Sequence, residues 1–316
     1  MKITILDKNA MGDDTPYNIL DSYGKVISYS STLPEETIEH VADSDVIILN
    51  KVKITKDVIQ SAKKLKLICV FATGYDNIDV KAAKEKGVAV CNVPGYSTDS
   101  VSLFTVTTAL ALVSHLKEYS RFVSAGAYSA SSSANKITPV FHELNGKTWG
   151  IIGFGNIGKA VAKVAEAFGT NVIVNKRTPI SEYNCVDIDT LCKESDIISI
   201  HCPLNDGTRE LINEKRINLM KKSVVLVNEA RGAVLNEKDI AEAVKSGRIA
   251  AFGCDVYSKE PFPTDHPYNE IKDFDNVILT PHAAWAAYEA RERCIKIIGD
   301  NISSYLKGEF LNRVDI

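Results

Sequence analysis

One stretch constrains this chain more than any other: residues 148–177, TWGIIGFGNIGKAVAKVAEAFGTNVIVNKR. Trp149–Ile152 is a short apolar run that reads as a strand, and Gly153, Phe154, Gly155, Asn156, Ile157 and Gly158 fit G-x-G-x-x-G. Ile157, Ala160, Val161, Val164, Ala165 and Phe168 then recur at helical spacing. Gly169 offers the left-handed residue that ends a helix, and Val172–Val174 resumes as a strand. The glycine motif alone is weak, but between a strand and a helix in a unit of about 30 residues it is the fingerprint of a dinucleotide site. The first glycine allows the turn, the second lets backbone approach a pyrophosphate, and the third lets helix and strand pack closely. The helix N-terminus supplies unpaired N–H groups and partial positive charge.

The rest of the chain alternates in the same way. Ile3–Leu6, Val46–Leu49, Leu67–Phe71 and Val88–Val90 are apolar runs, separated by segments that suit helices at 35–42, 56–62 and 80–86. Asp79 fits the N-cap of the last of these and Gly87 its C-cap. A second series follows the glycine motif, with strands expected at 196–200, 224–228, 250–254 and 277–279 and a helix at 236–246. This alternation predicts an α/β protein of two Rossmann-like or flavodoxin-like domains with parallel sheets. Asn92-Val93-Pro94-Gly95 punctuates the chain, a long apolar pattern covers 97–117, and 124–139 reads as an exposed connection. A long helix at 286–306 follows the last strand and suits a return to the first domain. The expected division is a discontinuous substrate domain, 1–97 plus 285–316, around a dinucleotide-binding domain at 98–284.

A chain of 316 residues has ample material for two cores. A net charge of −3 argues against a nucleic-acid binder, which would carry a basic face. The first apolar run is too short for a signal peptide, and no apolar run is long enough to span a membrane. The seven cysteines form no C-x-x-C pair and lie mostly in apolar runs, as buried reduced thiols of a cytoplasmic protein would. No pair of histidines has metal-ligand spacing, so no metal site is expected.

In an open parallel sheet, ligands bind beyond the carboxyl ends of the strands. Glu229, Ala230 and Arg231 follow one expected strand, Asp255 and Glu260 the next, and His282 the last. Those types suit one reaction. A guanidinium holds the carboxylate of a 2-oxo acid and polarises its ketone. An imidazole donates the proton that the reduced oxygen needs, and a neighbouring carboxylate orients the ring and favours its charged form. The other histidines, at 40, 115, 142, 201 and 266, lack such placement.

Six blocks spread over the chain resemble a known family, the D-isomer-specific 2-hydroxyacid dehydrogenases: 72–101, 146–162, 201–211, 227–237, 253–261 and 279–291. Within that family, NVPGYSTDSV and TPHAAWAAYEAR look most like hydroxypyruvate reductases (glycerate dehydrogenases). The family's catalytic Arg, Glu and His fall on Arg231, Glu260 and His282. The resemblance implies an active site in a cleft between the domains, with backbone at Thr73 and Gly74 binding the substrate carboxylate. It also implies Asn156 and Ile157 under the pyrophosphate, with Cys202, Pro203 and Thr208 along the nucleotide. Glu229, Ala230 and Asp255 would lie near the nicotinamide ribose and carboxamide, and the protein would be a homodimer. The expected substrate is hydroxypyruvate or glyoxylate, with a D-lactate-type or broad 2-oxo acid reductase as the alternative and a dinucleotide-sensing regulator as a third reading.

The chain departs from the family pattern at three places. Phe104 stands where relatives often have a polar residue or His, and Glu229 replaces a small residue beside Arg231. After the strand ending at Val174 come Asn175, Lys176 and Arg177, with Lys176 where NAD-preferring relatives often carry an acid. Two cations there would welcome a 2′-phosphate, so NADP(H) is the expected cofactor, with NAD(H) as the alternative.

Overall fold

Short β-branched apolar runs become the inner strands of two parallel sheets in the computed structural model, which describes residues 1–316. The chain divides into two compact units, Met1–Ser97 with Ala286–Ile316, and Thr98–Trp285. In the first unit, β1 (Lys2–Ile5), β2 (Lys25–Ser28), β3 (Val46–Leu49), β4 (Leu67–Val70) and β5 (Ala89–Cys91) form a sheet in the order β2-β1-β3-β4-β5. All pairs are parallel. Every residue of β3 and β4 is buried, as expected for inner strands covered on both faces. β2 was not legible in the sequence: it is an edge strand of exposed and half-buried residues, with no apolar run to mark it.

The helices of this unit include Thr37–Val41, Lys56–Ser61 and Val80–Lys86. Asp79 caps the third through a 2.9 Å hydrogen bond from the Ala82 amide, and Gly87 closes it at φ 76°. The helix Tyr288–Leu306 completes the unit. It is anchored by the buried Asn301, whose amide donates to Asn92 O at 2.9 Å and whose carbonyl accepts from Asn312 at 2.8 Å.

In the second unit seven parallel strands follow: β6 (Thr148–Ile152), β7 (Asn171–Asn175), β8 (Asn184–Cys185), β9 (Ile197–Ile200), β10 (Val225–Asn228), β11 (Ala251–Cys254) and β12 (Val277–Leu279). Their order is β12-β11-β10-β9-β6-β7-β8. From β6 the chain winds outward to β8 and then returns to β9 on the other side, so the strand order reverses beside β6. Ligands bind at such a switch point in doubly wound sheets.

The apolar pattern at 97–117 is not one helix but parts of two, Thr98–Val113 and Leu116–Ser124, set at 67° to each other. The bend falls at His115, which adopts φ 51°. The first helix buries Thr105, Thr108, Ala109 and Leu112 and packs on β10 and β11. Gly253 in β11 admits it, since a Cβ there would collide with the Thr108 methyl group. No single helix is long and apolar enough to cross a membrane. All seven cysteines are free thiols, six of them buried.

Candidate active site

β6 ends in the glycine turn, where each glycine meets a different constraint. Gly153 adopts φ 89°, and a Cβ on it would strike the backbone of His201 and Cys202 at the end of β9. A Cβ on Gly158 would strike the Gly153 carbonyl, so the third glycine allows the helix Asn156–Ala167 to start close against the strand. Gly155 faces open space. The helix has no side-chain cap and no acid in its first turn. The amides of Phe154, Gly155, Asn156, Ile157 and Gly158 donate to no acceptor in the protein. Unpaired donors at a helix N-terminus beside an open glycine fit a pyrophosphate.

The end of β7 joins this turn directly, through a 2.9 Å hydrogen bond from the Gly153 amide to Asn175 O. Asn175 fixes the outgoing chain by donating to Val186 O at 3.0 Å. Lys176 is half-buried and Arg177 exposed, and neither forms a salt bridge within the protein. Past β9, Cys202 is buried and Pro203 exposed. The Thr208 hydroxyl closes the loop between them, donating to Pro203 O at 2.6 Å and accepting from the Asn205 amide at 2.8 Å. His201 has both ring nitrogens buried without partners, and burial pushes it down to about 3, so the ring is neutral.

Arg231, Glu260 and His282 follow β10, β11 and β12, which are adjacent and in register: Asn228 pairs with Cys254, and Cys254 with Leu279. The strand ends are therefore level, and the three residues enter at one edge of the sheet. Asn228 shapes the first turn, accepting from the Ala230 amide at 3.1 Å and donating to Arg231 O at 3.0 Å. Gly232 lies so close to the backbone of Tyr257 and Ser258 that a Cβ would overlap both. The Arg231 turn thus packs, backbone on backbone, against the segment leading to Glu260.

Glu260 and His282 meet. Glu260 Oε2 lies 2.6 Å from His282 Nδ1, with both side chains about one-quarter exposed (27% and 28%). Glu260 Oε1 accepts from the Tyr257 amide at 3.1 Å. His282 adopts φ 55°, an uncommon conformation for a non-glycine residue that the surrounding turn enforces. Asp255 does the enforcing: its buried carboxylate accepts from Thr280 Oγ1 at 2.6 Å and from the amides of Ala283 and Ala284 at 2.8 and 2.9 Å. Proximity to strand ends identified Asp255, but its bonds to 280–284 needed the fold.

Arg231 Nη1 donates to Ala230 O at 2.7 Å. Both carboxyl oxygens of Glu229 are buried without a hydrogen-bond partner. Burial first and the Asp255 charge second push the group up to about 9, so it is a neutral acid near pH 7. His266, which follows no strand end, belongs to the Glu260 loop and lies 3.0 Å from Glu237. In the other unit, the amides of Thr73 and Gly74 bond to nothing in the protein, while the Thr73 side chain and carbonyl are held by Val93 and Asn92. No three His, Cys, Asp or Glu side chains are grouped to hold a metal ion.

Residues 106–284 match the family described as D-isomer specific 2-hydroxyacid dehydrogenase, NAD binding domain. The whole chain is 36% identical to the hydroxypyruvate reductase of Blautia hydrogenotrophica, over all of both proteins. It is 38% identical to the glyoxylate reductase of Thermococcus litoralis over 281 residues, 86% of this chain and 83% of that one. Among solved structures it is similar to an acyclic imino acid reductase in complex with NADPH and D-Arg. That match has a TM-score of 0.86 at 33% identity and covers 99% of this chain and 100% of the other.

Proposed function

Because this chain belongs to the D-isomer-specific 2-hydroxyacid dehydrogenases, we propose that it reduces hydroxypyruvate or glyoxylate to the 2-hydroxy acid, with NADPH as the preferred cofactor. The observation that carries the reading is the Glu260–His282 pair, 2.6 Å apart at the sheet edge that also bears Arg231. The nicotinamide dinucleotide, when bound, supplies the hydride. Phe154–Gly158 would hold its pyrophosphate through their unpaired amides, and Lys176 and Arg177 its 2′-phosphate. Arg231 would hold the substrate carboxylate and polarise the ketone. With Nδ1 of His282 engaged by Glu260, its Nε2 carries the proton that passes to the ketone oxygen as hydride reaches the carbon.

The reading includes self-association. Leu103, Leu116, Val123, Ile137, Val140 and Phe141 are exposed apolar residues within one stretch of the second unit, and a second copy of the chain would cover them.

The test is steady-state kinetics on a panel of 2-oxo acids with NADPH and with NADH. Hydroxypyruvate and glyoxylate should show the highest kcat/KM, and NADPH the higher value of the two cofactors. Cofactor binding without oxidation by any 2-oxo acid would exclude an enzyme and favour a dinucleotide-sensing role.

A further inference from the structure

The loop that carries Glu260 is tied to the protein at two points by one carboxylate. Glu237 Oε1 accepts from the Ser258 amide at 2.8 Å, and Oε2 accepts from the Ser258 hydroxyl and from His266 Nε2, the latter at 3.0 Å. His266 Nδ1 accepts from the Tyr268 amide at 3.2 Å, so Nε2 is the nitrogen that carries the proton and donates to Glu237. The carboxylate–imidazole pair is buried, with side-chain exposures of 11% and 5%. Tyr257, Phe262 and Tyr268 pack edge-on or tilted around the same ring system. Glu237 is the first residue of the helix Glu237–Lys245, where the helix dipole favours a negative charge and the backbone is fixed. Ser258 and His266 bracket Glu260, and neither Glu237 nor His266 touches the His282 ring.

We propose that Glu237 and His266 are positioning residues for the reaction: they pin both ends of the 258–266 loop so that Glu260 stays on Nδ1 of His282. The inference rests on the reading of Glu260 and His282 as the acid unit. A loop fixed at one end only would let Glu260 swing away from the ring, and small displacements of a reacting group are costly in kcat. Arg231 lies outside the pinned loop, and although its turn packs on Ser258, the Asn228 bonds that shape that turn are untouched, so substrate binding should change less than turnover. The charged and titratable groups on the turns around His282 are Glu260, Asp255 bonded to its turn, Tyr257 bonded to Thr280 O at 2.8 Å, and Arg231 after β10, two strands from β12. Of these, the substitutions proposed here displace Glu260.

The experiment compares pH profiles of kcat/KM for the intact enzyme, Glu237→Ala, Glu260→Gln and the double variant, with hydroxypyruvate and NADPH. Glu237→Ala should lower kcat on the order of 10²-fold, with KM for the oxo acid changed much less. It should also move the alkaline limb in the same direction as Glu260→Gln, because both substitutions remove the same contact from Nδ1 of His282. In the Glu260→Gln background, Glu237→Ala should add no further shift. His266→Gln, which keeps a donor near the Nε2 position, should retain the intact profile, and His266→Leu should reproduce that of Glu237→Ala even if the latter is poorly folded. A shift in Glu260→Gln but none in Glu237→Ala and His266→Leu would overturn the positioning role alone. So would a further, additive shift in the double variant. No shift in Glu260→Gln itself would remove the reading on which the inference stands.

Discussion

The backbone amide of His282 donates to the carbonyl of Asp255 at 2.8 Å, while the Asp255 carboxylate accepts from the two amides that follow His282 in the chain. The left-handed backbone at His282 is therefore written into Asp255, from both its main chain and its side chain. A histidine held at φ 55° against that preference is aimed by its turn, with its ring orientation set by Glu260.

Asp255→Asn should break this arrangement, because an amide nitrogen replaces one acceptor opposite a backbone N–H. The expected cost is about 2–4 kcal/mol in urea unfolding, since bonds to charged groups are the strong ones and a buried donor is left unpaired. Turnover should fall as well, toward that of His282→Ala, for which a loss of roughly 10²–10⁴ in kcat is expected of a general acid. Arg231→Ala should harm KM and kcat together. Near-normal turnover in Asp255→Asn would separate the turn from the chemistry.

The inner strands, the glycine turn and the residues at the strand ends were legible because burial on both faces leaves unbroken apolar runs, and ligand edges leave polar residues after them. β2 and β8 were not, since an edge strand such as Lys25–Ser28 needs no apolar face and Asn184–Cys185 has only two residues. The break at His115 left no mark either, because the apolar pattern continues across it. Glu229 was legible as a departure but not as a buried acid, because its burial is supplied by packing from residues distant in sequence. His266 was passed over because its partner, Glu237, is 29 residues away.

Glu229 gives stability a distinct pH dependence. Its carboxyl is raised in the folded protein from 4.5 to about 9, so the unfolded chain releases that proton first. Stability is then fully present below the unfolded value and declines as pH rises from 4.5 toward about 9. The decline attributable to this group amounts to roughly 3 kcal/mol by pH 7. Glu229→Gln should lack it, so the difference in unfolding free energy between variant and parent should grow in the variant's favour from pH 5 to pH 9. Parallel stability curves would contradict a buried neutral acid.

The constraints on the first two glycines of the turn should separate on substitution. Gly153→Ala forces a Cβ into the His201–Cys202 backbone at a left-handed φ and should lower the melting temperature markedly. Gly155→Ala places its methyl in open space and should leave the melting temperature unchanged. It should nonetheless raise KM for the dinucleotide, because the methyl occupies the approach to the unpaired amides. An unchanged KM in Gly155→Ala would mean that the open side of Gly155 is not where the cofactor comes.

Cofactor choice rests on Lys176 and Arg177. A charge-assisted hydrogen bond of about 1.5–3 kcal/mol to a 2′-phosphate corresponds to a preference for NADPH of roughly 10–150-fold in kcat/KM. The preference should shrink as salt rises, since Arg177 is exposed, and Lys176→Asp should abolish or reverse it. Equal kcat/KM for NADH and NADPH in the intact protein would rule the basic turn out as a selector.

The most direct test of the account is the handedness of the product. Hydroxypyruvate is supplied with NADPH, and in parallel with NADH, while cofactor absorbance is followed and the glycerate is resolved by chiral chromatography. One equivalent of D-glycerate should form for each equivalent of cofactor oxidised, and none in His282→Ala on the same timescale. L-glycerate, or no oxidation of either cofactor, would contradict it.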